Sequence, residues 1–221
     1  CDVPMSISTP QPGDNLMPSR TDRMTIYNEV IIPDLKEAVN LLPVRESYSG
    51  SDIGRASKGA AAGMLAKVYL TLGMYEESLA MSMLVEELGY MLNADYSDAF
   101  GGEEHHKNTG ESLFEVQYYG LTKAGFWDDE NQASWLSTYM GPRNSGWVGG
   151  AYGWNQPTQE FVDSYEEGDL RKDKTILYEG CPPFDGMQYK ASWSNTGYNV
   201  RKFLVPLSVS PDYNTNSAGF V

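Results

Sequence analysis

The stretch Gly54–Phe100, GRASKGAAAGMLAKVYLTLGMYEESLAMSMLVEELGYMLNADYSDAF, decides how the rest of the chain is read. Its apolar residues recur at spacings of three and four, which predicts two helices, each with one buried side. Ser57 stands where a helix cap is needed. Behind it come Ala60, Ala61, Ala62 and Gly63, then Met64, Leu65, Val68, Tyr69 and Leu72. Gly73 is placed to stop this helix, because the residue after a helix end favours positive φ. A second helix follows from Tyr75, with Leu79, Met83, Leu84 and Leu88 expected on its inner side. The small residues of the first helix allow a close approach of the two.

This hairpin resembles a tetratricopeptide repeat, in which small and aromatic positions of helix A lead into Gly-x-Tyr-x-x-Ala at the start of helix B. Here Leu65, Ala66 and Tyr69 lead to Gly73-Met74-Tyr75-Glu76-Glu77-Ser78, with Ser at the usual Ala. More specific marks surround it. They are Gly54-Arg55-Ala56-Ser57-Lys58-Gly59-Ala60-Ala61, Gly89-Tyr90-Met91-Leu92, Asp95-Tyr96-Ser97-Asp98-Ala99-Phe100 and Glu111-Ser112-Leu113-Phe114-Glu115-Val116-Gln117-Tyr118. Together these resemble the SusD/RagB family of nutrient-binding lipoproteins of the Bacteroidota outer membrane. The resemblance implies a mainly α, SusD-like fold: tetratricopeptide-like helical hairpins, a loop-rich and aromatic-rich part, and a few short strands. It also implies non-catalytic capture of an oligosaccharide or polysaccharide at the extracellular face of the outer membrane. The full-length protein would be lipid-anchored there and deliver the glycan to a SusC-type TonB-dependent transporter. No cofactor is implied.

Working outward toward the start, Asp2-Val3-Pro4-Met5 is similar to a Gly-Asp-Val-Pro-Leu segment that lies well inside family members. The resemblance therefore makes Cys1 an internal residue at a cut end rather than a lipidation site. It also makes the chain the middle of a family member, with the remaining helices either on another chain or removed. Residues 6–20 are rich in Pro, Ser, Gly and Asn and read as a loop. Thr21 or Asp22 can cap a helix to about Leu42. Its buried side is Ile26, Tyr27, Val30, Ile31, Leu35, Ala38, Val39 and Leu42, and Pro33 is expected to kink or split it. Asp34-Leu35-Lys36-Glu37-Ala38 and Leu41-Leu42-Pro43 resemble further family marks.

Bulk properties bound the function. The 221 residues suffice for a sizeable core. A formal charge of −14 argues against nucleic-acid binding, which needs Lys and Arg to neutralise phosphates. No run approaches the roughly 20 apolar residues that span a bilayer. The two cysteines, Cys1 and Cys181, make neither a disulfide framework nor a metal motif.

After Phe100 the composition changes. Residues 101–110 read as a loop and Leu113–Tyr118 as a short extended segment. The division drawn from this is 1–119, tetratricopeptide-like, and 120–221, loop-rich and ligand-binding, within one SusD-like domain. Trp154–Tyr165 and Gly197–Phe203 again resemble family patterns. Asp169-Leu170-Arg171 is similar to a family Asp-Pro-Arg, with Leu for Pro. Thr158 can cap a helix carrying Phe161, Val162 and Tyr165 on one side, and Thr175–Tyr178 reads as a strand.

The chemistry is expected in residues 120–155. Sugars offer flat C–H faces and a rim of hydroxyls, so their sites need aromatic platforms beside amide, carboxylate and guanidinium groups. The stretch supplies Trp127, Trp135, Tyr139, Trp147, Tyr152 and Trp154, beside Arg143, Asn144, Asn155, Asp128, Asp129, Asn131 and Gln132. The competing reading packs these rings onto the body of the protein, since Trp is highly buried on average. Trp193 and Tyr198, with Asn195 and Asn199, form a second candidate. An enzyme would need paired carboxylates; Asp128-Asp129-Glu130, Glu103-Glu104 and Glu166-Glu167 are available, but neighbours in sequence point apart. His105-His106 lacks metal-ligand spacing. A third reading makes helices 24–42 and 57–88 a protein-docking face, alone or together with glycan or peptide binding.

Overall fold

The computed structural model describes residues 1–101, 106–118 and 134–208. Packing divides the chain into two units, Cys1–Met91 and Leu92–Val221. The division at 119/120 follows composition, whereas the division in space falls after Met91.

In the first unit a loop is closed by a two-residue antiparallel ladder, β1 (Val3–Pro4) on β2 (Arg20–Thr21), with Val3 opposite Thr21. The Asp22 carboxylate then accepts from the backbone N–H groups of Met24 and Thr25 at 2.9 and 3.2 Å, which starts α1 (Arg23–Ile26). The helix widens into a π-helical stretch over Tyr27–Ile31 and continues as α2 (Ile32–Leu41). The expected disturbance at Pro33 takes this form. Proline has no N–H to offer the preceding turn, and a wider turn just before it accommodates the loss. Tyr27, Leu35 and Val39 pack against Ile32, Leu65 and Tyr69, as the spacing predicts. Ile32, absent from that expected list, is the most buried residue of the helix.

The hairpin is α3 (Lys58–Thr71) and α4 (Tyr75–Glu87). Ser57 Oγ accepts from the Ala60 N–H at 3.3 Å and lies 2.9 Å from the Tyr90 hydroxyl. The Tyr90 ring covers Gly59 so closely that a β-carbon there would lie 2.2 Å from it. Gly73, at φ +74°, turns the chain. The Ser78 hydroxyl, standing where repeats usually carry Ala, donates to the Ala66 carbonyl at 2.9 Å. Three residues expected on the buried sides are corrected. Met64 is exposed, and Leu79 and Met83 are 61% and 52% exposed. The seam runs one residue over, along Met74, Ser78 and Met81, because the small residue lets the backbones approach.

The second unit has short elements: α5 (Leu136–Met140), α6 (Gln159–Asp163), α7 (Arg171–Thr175), and β3 (Ile176–Leu177) antiparallel to β4 (Asn199–Val200). Thr158 caps α6, accepting from Phe161 N–H at 3.2 Å. Val162 is buried, while Phe161 is exposed rather than turned inward with it. Residues 113–118 join no ladder, and their alternation is reversed: Glu115 is buried, Phe114 and Val116 are exposed. Trp147, Val148, Leu177, Cys181, Tyr189 and Leu204 form the core. Both cysteines are free thiols, Cys1 exposed and Cys181 buried.

Candidate functional site: an aromatic shelf and the cleft beside it

The end of α5 and the irregular run 152–154 are stitched side by side. The N–H groups of Tyr152, Gly153 and Trp154 donate to the carbonyls of Thr138, Gly141 and Tyr139 at 2.9, 2.9 and 2.8 Å. This ladder brings three rings together. Tyr139 and Trp154 stack with centroids 4.9 Å apart and planes 6° apart. Tyr152 lies 6.1 Å from Tyr139 and 6.2 Å from Trp154, its plane tilted from theirs by 28° and 34°. Trp154 is 57% exposed and Tyr152 41%. The rings thus form an apolar shelf of stacked, roughly parallel rings, open to solvent at Tyr152 and Trp154.

Its support is polar and local. The Arg143 guanidinium donates from Nε and Nη2 to the Tyr152 carbonyl at 3.1 and 2.9 Å. Arg143 is therefore a brace for the shelf, with its remaining N–H groups at the surface. Asn144, Ala151 and Asn155 have φ of 61°, 47° and 54°, and Gly146, Gly150 and Gly153 are also left-handed. Ala151 pays a steric penalty there that glycine avoids, so packing around it must hold the turn. Asn144 and Asn155 are exposed on this loop.

The other candidates fall elsewhere. Trp147 is not a platform: it is 1% exposed, at the centre of the core, edge-on to Trp193 at 4.7 Å and tilted against Phe184 and Tyr189. Its backbone N–H donates to Ser145 Oγ at 3.2 Å, which helps fix the turn that sends the ring inward. Trp135 is half-buried at the N-terminal end of α5. Trp193 belongs to the core periphery, and the Tyr198 hydroxyl donates to Gln159 at 2.6 Å. Trp127, Asp128, Asp129, Asn131 and Gln132 lie outside the described residues, as do Glu103, Glu104 and His105.

Beside the shelf opens a cleft of about 410 Å³. Met140 and Asn155, which directly follow Tyr139 and Trp154 in the chain, contribute to its wall, with Gln156, Phe161, Phe203 and Lys202. None of the last four was expected to bind ligand, although Lys202 and Phe203 lie in the Gly197–Phe203 motif. Phe203 adopts φ +67°, a rare conformation for a bulky residue. Asp95 anchors the turn Tyr96–Ala99, which lies against Lys202: it accepts from Ser97 N–H and Oγ and from Lys174 Nζ. The Ser97 bonds hold its carboxyl down at about 2. Inside the core, burial pushes the Tyr189 phenol up to about 12.

Among the described residues no three His, Cys, Asp or Glu side chains gather to hold a metal, and Glu166 and Glu167 are both exposed. Nor is any helix among them long and apolar enough to cross a membrane.

No family model matches this chain, and no curated protein sequence does. Solved structures do. A SusD-like protein from Bacteroides fragilis superposes with a TM-score of 0.72 at 24% identity, over 98% of this chain and 50% of its own. The fold is SusD-like. A laminarin-binding SusD-like protein matches with a TM-score of 0.69 at 24% identity, over 89% of this chain and 47% of its own. Surface glycan-binding protein A from Bacteroides thetaiotaomicron, solved with laminarihexaose, matches with a TM-score of 0.70 at 18% identity, over 90% of this chain and 47% of its own. The chain thus spans about half the length of these solved structures. The mainly helical class expected from the hairpin pattern is the class observed.

Proposed function

We propose that this chain binds an oligosaccharide, without chemical change, on the shelf of Tyr139, Tyr152 and Trp154. The observation that carries the reading is the open, near-parallel stack. A flat C–H face of a sugar ring fits an exposed π face, and the surrounding amides of Asn144 and Asn155 supply hydrogen bonds to hydroxyls. Large rings left 41% and 57% exposed, yet held in place by a backbone ladder, suit a preorganised binding surface. The ligands of two structural neighbours, laminarin for the SusD-like protein and laminarihexaose for the surface glycan-binding protein, point the same way.

We further propose a location and a route of delivery. The full-length protein sits at the outer membrane surface and passes the glycan to a SusC-type transporter. The helical unit offers an apolar docking face in Tyr75, Leu79 and Met83, one turn apart along α4.

Affinity electrophoresis in a panel of soluble polysaccharides, laminarin included, tests the binding step. The intact chain should be retarded by at least one of them. Trp154→Ala should abolish the retardation, and Leu79→Asp with Met83→Asp should leave it unchanged while ending co-purification with the transporter. Retardation that survives Trp154→Ala and Tyr152→Ala together sinks the shelf.

A further inference from the structure

We infer that the cleft beside the shelf is a second subsite, built for an anionic group, a carboxylate or sulfate ester, carried by a sugar. It rests on the glycan-binding reading only for the sugar that bears the anion.

Lys202 stands in a cage of three aromatic rings. Its ammonium lies 4.7 Å from the centre of the Phe100 ring, 5.1 Å from that of Tyr96 and 5.2 Å from that of Phe203. It donates one hydrogen bond, to the Tyr96 hydroxyl at 3.1 Å. Three rings strip water from it, and no carboxylate among the described residues pairs with it. In a chain of formal charge −14, with 30 carboxylate side chains to choose from, this is an unexpected place for an unpaired cation. Partly desolvated charges are ordinarily matched by an opposite charge, and this one lines an open cleft.

A second unmet group lines the same cleft. Thr175 Oγ1 is buried and has no hydrogen-bond partner among the described residues. The Thr175 carbonyl accepts from the N–H groups of Arg201 and Lys202 at 2.8 and 3.3 Å, so the two residues are held together. Gln156 adds an amide whose Oε1 already accepts from Asn195 N–H at 3.1 Å, which leaves its NH₂ to donate. Ammonium, hydroxyl and amide NH₂ can all donate, and no carboxylate stands among the described lining residues. Such a set complements a group that only accepts and carries negative charge. Met140, Phe161 and Phe203 supply apolar walls for the sugar ring itself.

The test is nuclear magnetic resonance titration of the full chain with small sugars. One arm compares galacturonate with its methyl ester, the other glucose 6-sulfate with glucose. At least one anion should bind tenfold or more tightly than its neutral counterpart, shifting the amides of Thr175, Gln156 and Lys202. The arm that responds identifies the source of the charge. Lys202→Met should remove the preference and Lys202→Arg keep it; should the Met variant misfold, the wild-type comparison and its weakening in high salt still decide. Equal binding of anion and neutral sugar in both arms, or a preference that survives Lys202→Met, overturns the inference. A parallel titration with laminarihexaose reads the shelf alone. Neutral binding without anion preference leaves the shelf and removes the cleft, anion binding without laminarihexaose binding does the reverse, and no binding of any sugar removes both.

Discussion

Trp147 and Trp154 stand seven positions apart in one glycine-rich loop, and the protein uses them in opposite ways. Trp147 is 1% exposed and locked among Phe184, Tyr189 and Trp193. Trp154 is 57% exposed and stacked on Tyr139. Edge-to-face packing consumes both faces and the rim of the inner ring. Parallel stacking covers one face of the outer ring and leaves the other free. Aromatic content alone therefore does not make a sugar site; the direction imposed by the intervening turns does. Those turns need left-handed backbone at Gly150, Ala151 and Gly153.

The contrast is easiest to break at the inner ring. Trp147→Ala should destabilise the second unit by about 3–5 kcal/mol in chemical denaturation, the usual range for removing a large buried aromatic. A loss under about 1 kcal/mol would show that the inner cluster is not the core. Tyr189→Phe is next, at about 1–3 kcal/mol. The phenol donates to the buried Asn199 Oδ1 at 2.7 Å, and Asn199 Nδ2 is already without a partner among the described residues. The same variant tests a pH dependence. With its folded pKa raised to about 12, Tyr189 contributes stability that is full below about 10 and lost as pH rises toward 12. Tyr189→Phe should flatten that alkaline slope in a urea-midpoint series.

Smaller effects are expected on the outer side. Arg143→Ala should cost about 0.5–1.5 kcal/mol through the lost bonds to the Tyr152 carbonyl, and should weaken glycan retention by loosening the shelf. Trp154→Ala should leave stability within about 0.5 kcal/mol, as for an ordinary surface change, while retention is lost. If Trp154→Ala unfolded the protein as Trp147→Ala does, the division between inner and outer rings would collapse.

These outcomes also mark what was legible in the sequence. Caps at Asp22, Ser57 and Thr158 and the turn at Gly73 were readable because each is a bond or a torsion within a few residues. The pairing of Tyr139 with Tyr152 and Trp154 was not, although all three were named, because a backbone ladder between residues 138–141 and 152–154 brings them together. Periodicity told that α4 had an apolar row but not which of two adjacent rows met α3. Ser78 decided that by its bond to Ala66, leaving Leu79 and Met83 outside. Lys202 escaped notice because its cage draws on Tyr96 and Phe100, about a hundred positions earlier. Nothing in the local pattern marks such a meeting.

The burial of Cys181 has a practical consequence. It lies in the same core as Trp147, while Cys1 is accessible. A maleimide added to the native chain should label Cys1 within the mixing time and Cys181 only as often as the core opens. The unlabelled thiol is thus a built-in clock for the breathing of the lobe that carries the shelf, readable by mass spectrometry without any introduced probe.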